Sequence, residues 1–227
     1  MSLSARAATY QGSLTYTPGY PADSSDGLAV GPSNLQWVNY TVSMSWTVTN
    51  EDASYATHPW KYTYTFGHNG TQAAISHLII EASEGISAAN ITGLTGATLD
   101  SAGMQTVQSG NPDMPEGLVG LKFAPAADAF SMTWTFYSDR APVWGDFYAK
   151  CGGKLGGFNH AYNYNLTGLV ESGFLTGDVD PTAAPSNGSV AFHILRPDTV
   201  SIPEPATMSV LAAGALAALI RRRRTRA

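Results

Sequence analysis

The chain of 227 residues is 44% hydrophobic but only 13% charged, so it can fill the core of one sandwich-sized domain while covering it with Ser, Thr, Asn, Gln and Gly instead of ions. The formal charge of −5 is uneven: Arg221, Arg222, Arg223, Arg224 and Arg226 crowd the last seven positions, and the preceding body carries 7 basic against 17 acidic residues, which excludes nucleic acid as a partner. The single cysteine, Cys151, excludes an intrachain disulfide, so core packing and hydrogen bonds must hold the fold.

Met1 is followed by Ser-Leu-Ser-Ala-Arg-Ala-Ala, without the apolar run of a secretory leader, yet Ala5-Arg6-Ala7 has the small-x-small form of a cleavage site. Residues 1–7 are therefore expected to be the remnant of a signal peptide or of an artificial start, and residues 8–198 the folded body. Tyr10 to Tyr16 is the first candidate strand, and Pro18 to Pro32 reads as turn. From Trp37 to Asn50 the apolar Val38, Tyr40, Val42, Met44, Trp46 and Val48 alternate with Asn, Thr and Ser, the period of a half-buried strand. Trp60, Tyr62, Tyr64 and Phe66 repeat that pattern. Ile75 to Ala82 is a further candidate, Ser83 to Asp100 and Ser109 to Gly117 read as turns, and Leu118 to Phe123 as a strand. Phe130, Met132, Trp134 and Phe136 alternate again, Asp146 to Ala149 is short, and Val190, Phe192 and Ile194 alternate after an exposed loop at Pro181 to Gly188. No body segment keeps a 3.6-residue period and no internal repeat is visible. The expected class is all-β, an antiparallel β-sandwich of plain or jelly-roll type, plus one C-terminal transmembrane helix.

Candidate chemistry is sparse. His58, His68, His77, His160 and His193 include no pair at metal-ligand spacing, no Gly-x-Ser-x-Gly elbow occurs, and no placed pair of carboxylates points to catalysis, so no enzyme is expected. Asn-x-Ser/Thr sequons at Asn39, Asn69, Asn90, Asn165 and Asn187 read as chance in so Thr-rich a chain. Cys151 reads as a loop residue between Lys150 and Lys154. The best candidate patch is Asp139, Arg140, Trp144, Asp146 and Tyr148: a sugar face would stack on the rings while the ions orient hydroxyls. The plainer alternative is a turn at Asp139-Arg140 with Trp144 capping the core. Asp178 and Asp180, near Asn187, are weak calcium candidates without the spacing of a known loop.

Thr199 to Pro205 reads as a linker. From Ala206 to Ile220 the chain is apolar, ~22 Å as a helix at ~1.5 Å per residue, which is short for a membrane core of ~30 Å. Arg221 can snorkel, and the arginines fit a cytoplasmic end at 221–227 with the body on the other side. Pro203-Glu204-Pro205, then a small-residue apolar run, then an arginine cluster at the extreme C-terminus resembles the PEP-CTERM sorting signal of exported proteins from exopolysaccharide-producing Gram-negative bacteria. The resemblance implies an exosortase as partner, transient anchoring in the inner membrane with the body in the periplasm, and delivery to the cell surface or matrix. Ser138 to Lys150, and more weakly Ile75 to Glu81 and His193 to Asp198, resemble a group of PEP-CTERM proteins without an assigned activity. The expected role is structural or adhesive in an exopolysaccharide layer. The alternative is a non-catalytic carbohydrate-binding module, with or without calcium.

Overall fold

The structure is a computed structural model that describes residues 7–19, 27–32, 34–52, 54–107, 110–115, 117–152, 157–163 and 192–198. Among them the strands are β1 (Thr9–Tyr16), β2 (Leu28–Gly31), β3 (Val42–Thr49), β4 (Trp60–His68), β5 (Ile75–Glu81), β6 (Ile91–Thr95), β7 (Thr98–Gln105), β8 (Leu118–Ala124), β9 (Ser131–Ser138), β10 (Ala141–Gly145), β11 (Phe147–Cys151), β12 (His160–Asn163) and β13 (Ile194–Asp198).

The three strictly alternating runs, β3, β4 and β9, sit side by side in a five-stranded sheet of order β1-β3-β4-β9-β6. Their register puts Met44 opposite Phe66, Phe66 opposite Met132, Trp46 opposite Tyr64, and Tyr64 opposite Trp134, so one face is a continuous apolar surface. The opposite sheet has six strands in the order β2-β12-β11-β5-β8-β7, and β10 pairs with β13 in a separate ribbon. All strand pairs within these sheets are antiparallel. The inner faces meet ring to ring: Phe123 of β8 lies 5.7 Å from Trp134 and 5.4 Å from Phe136, and Phe147 of β11 lies 6.1 Å from Phe66. Trp46 meets Trp144 edge-on at 6.1 Å, which ties the ribbon to the same core. The result is an antiparallel β-sandwich whose main driving force is burial of aromatic area.

Several expectations need correction. The strand predicted from Trp37 begins at Val42, and Trp37–Asn39 is a 3-10 turn. Trp37 is fully buried there because its backbone N–H donates to Asn159 Oδ1 (2.8 Å) and its indole N–H to the Ala73 carbonyl (2.8 Å). Phe130 precedes β9 and is partly exposed. The stretches read as turn, Pro18 to Pro32 and Ser83 to Asp100, contain β2, β6 and the start of β7. All three are edge strands, and none of the five β6 residues is fully buried, so their sequences carry little of the apolar alternation that betrays a strand. Among the described residues no helix is long and apolar enough to cross a membrane; the predicted span at 206–220 lies outside them, as do Val190, the Pro181 to Gly188 loop and residues 1–6.

Candidate functional site

Strand alternation scatters the predicted patch of Asp139, Arg140, Trp144, Asp146 and Tyr148. Only Asp139 is exposed, accepting from Asn90 Nδ2 at 3.2 and 3.3 Å. Arg140 is buried, its Nη1 donating to the Ser83 carbonyl (2.9 Å) and hydroxyl (2.8 Å), and burial lowers its pKa. Trp144 points into the core, whereas Tyr148 is buried on the outer side of the six-stranded sheet with its hydroxyl donating to the Pro112 carbonyl (2.5 Å). These five side chains do not share a face, and Trp144 is only 5% exposed, too little to receive a sugar.

Asp146 belongs instead to a buried polar network that sequence reasoning missed. Its backbone N–H donates to Glu81 Oε2 (2.7 Å), its carboxylate accepts from Asn163 Nδ2, and His193 Nε2 lies 3.4 Å from Oδ1. Arg196 forms ion pairs with Asp198 through Nη1 and with Glu81 through Nε (3.3 Å). Asp146, His193, Arg196 and Asp198 are all at most 5% exposed. Gly145 is obligatory at this point, because a Cβ there would collide with the Arg196 guanidinium and with Glu81 Oε2. Burial also pushes the phenols of Tyr62 and Tyr64, which donate to the Arg140 and Leu195 carbonyls, well above their usual range. The three stretches Ile75 to Glu81, Ser138 to Lys150 and His193 to Asp198 converge here. The readable signal was charge inside otherwise apolar strands of a charge-poor chain.

Two concavities lie elsewhere. A cleft of about 610 Å³ is lined by Gln36, Thr71, Ser76, Phe130, Cys151 and Asn159 among others. At its wall the buried Cys151 sulfur accepts from the Asn159 backbone N–H (3.0 Å) and Nδ2 (3.2 Å). A second groove, about 500 Å³, lies on the outer side of the five-stranded sheet between Tyr55, Lys61, Gly93, Thr95 and Tyr137. Here Lys61 Nζ lies 2.8 Å from Asp52 Oδ2, and the Tyr137 hydroxyl donates to the same oxygen (2.8 Å). The bonds from Lys61, Ser54 and Tyr137 hold the Asp52 carboxyl far below the usual carboxylate range.

The histidines are scattered, and among the described residues no group of three or more His, Cys, Asp or Glu could hold a metal. Asp178, Asp180, Asn165 and Asn187 lie outside the described residues. His58 is half-buried, with its ring nitrogens near the Thr57 hydroxyl (3.0 Å) and the Ala89 carbonyl (3.2 Å). His68 stacks on Tyr40, and burial lowers its pKa. His160 lies 3.5 Å from Asp113, and burial again lowers its pKa although Asp113 opposes the shift. His77 donates from Nε2 to Asn111 Oδ1 (2.9 Å) beneath the segment at 110–115; burial first, then the Lys122 charge, brings its pKa down to about 3. Because the folded value lies below the ordinary 6.5, the unfolded chain takes the proton first. The stabilising effect is complete above about pH 6.5 and is lost as pH falls toward 3, at about 1.4 kcal/mol per pH unit for this one proton. Urea titrations from pH 7 to pH 4 are expected to show a shallower loss in His77→Gln than in the parent chain; equal slopes would remove His77 from this role.

Residues 201–224 match the PEP-CTERM protein-sorting motif, a span that includes Pro203-Glu204-Pro205, the apolar run and Arg221 to Arg224. The motif implies export, processing by an exosortase and a surface or extracellular destination. No curated protein and no solved structure matches the chain.

Proposed function

We propose that the body is a non-catalytic component of the cell surface or extracellular matrix, with a structural or adhesive role in an exopolysaccharide layer. The apolar run at 206–220 holds it transiently in the inner membrane, body outward, until an exosortase removes the tail. The observation that carries this reading is the sorting motif at 201–224, which begins three residues after β13 ends at Asp198. Its test replaces Pro203, Glu204 and Pro205 by alanine in the producing cell. The parent protein is expected in the surface fraction without its arginine-rich end, by intact mass. The variant is expected in the membrane fraction with Arg221 to Arg224 still attached. Parent protein at the surface with an intact arginine end would refute the proposal.

A second reading, a non-catalytic carbohydrate-binding module, is favoured by the groove at Tyr55: a partly exposed ring beside hydroxyls and a fixed ion pair is the chemistry that grips a polyhydroxylated ligand.

A further inference from the structure

The outward face of the five-stranded sheet is almost free of charge and dense in hydroxyls. Ser13, Ser45, Thr65 and Thr133 lie side by side in register across β1, β3, β4 and β9, and in the row beside them Thr47, Thr63, Thr135 and Thr95 follow one another across β3, β4, β9 and β6. Neighbouring hydroxyls pair across strands, Thr63 with Thr135 and Thr65 with Thr133, each at 2.9 Å. Strand geometry spaces such rows at ~4.8 Å across the sheet and ~6.7 Å along it. One corner of this lattice is shaped differently. The β6–β9 register slips between Thr92 and Thr95, and Gly93 in the slipped segment has φ +62. A Cβ at Gly93 would stand 2.8 Å from the Tyr55 ring and 3.0 Å from the Tyr137 ring, so the bulge and the missing side chain together make the seat on which Tyr55 rests. Bulges of this kind re-aim side chains at sheet edges. Tyr55 stays 38% exposed and lines the groove.

We infer that this groove is a saccharide-binding subsite for a neutral polysaccharide chain, with Tyr55 as the stacking ring and Lys61, Thr95 and Thr135 as the hydroxyl partners; the inference rests on the carbohydrate-binding reading and gives it a location. The chemistry selects this class for three reasons. The Lys61–Asp52 pair is internally neutral and held by the Tyr137 hydroxyl, so no net charge calls for an anionic ligand. A partly exposed ring beside hydroxyl and ammonium groups complements a sugar, which is apolar on its faces and polar on its rim. The hydroxyl rows continue on the same sheet face beyond Thr135, so a polymer finds further partners where a single sugar would stop.

The test is affinity gel electrophoresis of the full chain in mild detergent through gels carrying dextran, hydroxyethyl cellulose or galactomannan, with alginate as the anionic comparison. Retardation by at least one neutral polymer is expected. Tyr55→Ala is expected to weaken it about tenfold, and Thr135→Val to weaken it less, both with an unchanged melting temperature. Met104→Ala, at a remote exposed position, is expected to behave as the parent chain. No retardation by any neutral polymer, or retardation by alginate alone, overturns the inference. Retardation that Tyr55→Ala leaves intact overturns the location and keeps the carbohydrate reading. Sorting of the chain to the surface is decided separately by the Pro203-Glu204-Pro205 replacement.

Discussion

Arg196→Ala is expected to lower the free energy of unfolding by about 3–5 kcal/mol, because it takes away the buried guanidinium that pairs with the buried Asp198 and the partly buried Glu81. An exposed ion pair would contribute at most about 1 kcal/mol, so the magnitude separates the two cases. Urea denaturation measures it. The double replacement Arg196→Met with Asp198→Asn removes the closest pair of opposite charges and is expected to recover part of the loss, since position 198 then no longer carries a buried charge beside the missing guanidinium. A single variant losing less than about 1 kcal/mol would show that the network is wetter than its burial implies.

Trp144→Ala is expected to cost about 3–5 kcal/mol, the usual range for emptying a large aromatic site in a packed core. The ring is part of the main core and meets Trp46 edge-on. Tyr55→Ala, at a partly exposed position, is expected to change stability by less than about 0.5 kcal/mol. Thermal and chemical denaturation of the two variants side by side decides the matter. If Trp144→Ala kept full stability and abolished glycan binding, the surface platform read from the sequence would be restored.

The sequence made the interior strands legible because their two faces differ so sharply in chemistry. Val42 to Val48, Tyr62 to Phe66 and Met132 to Phe136 each send an apolar residue inward at every second position, and all three are central or near-central strands. Trp37 broke the rule because hydrogen bonds from distant residues, Asn159 and Ala73, decide its place, and no local pattern reports them. The edge strands β2 and β6 stayed hidden since an edge needs less apolar side chain to hold it. The site was harder still. Asp139 to Tyr148 looked like one patch because its members are close in sequence, but β10 and β11 send them to different faces. The groove at Tyr55 joins residues from the segment before β4, from β4 itself, from β6 and from β9, which only the sheet register brings together. The tail was the most readable part, since its order of Pro-Glu-Pro, apolar run and arginines is carried by neighbouring residues alone.

Cys151 has a consequence for life outside the cytoplasm. A secreted chain with one thiol has no internal partner to take it, and in oxidising surroundings the ordinary fate of such a thiol is to couple two molecules. Here the sulfur is 1% exposed and is held in place by two N–H groups of Asn159. An attacking disulfide needs to approach the sulfur in line, and that approach is blocked while β11 and the Asn159 segment stay closed. Covalent pairing of copies is thereby governed by how often this part of the fold opens, so a thiol that could cross-link a crowded surface layer stays silent as long as the protein is native.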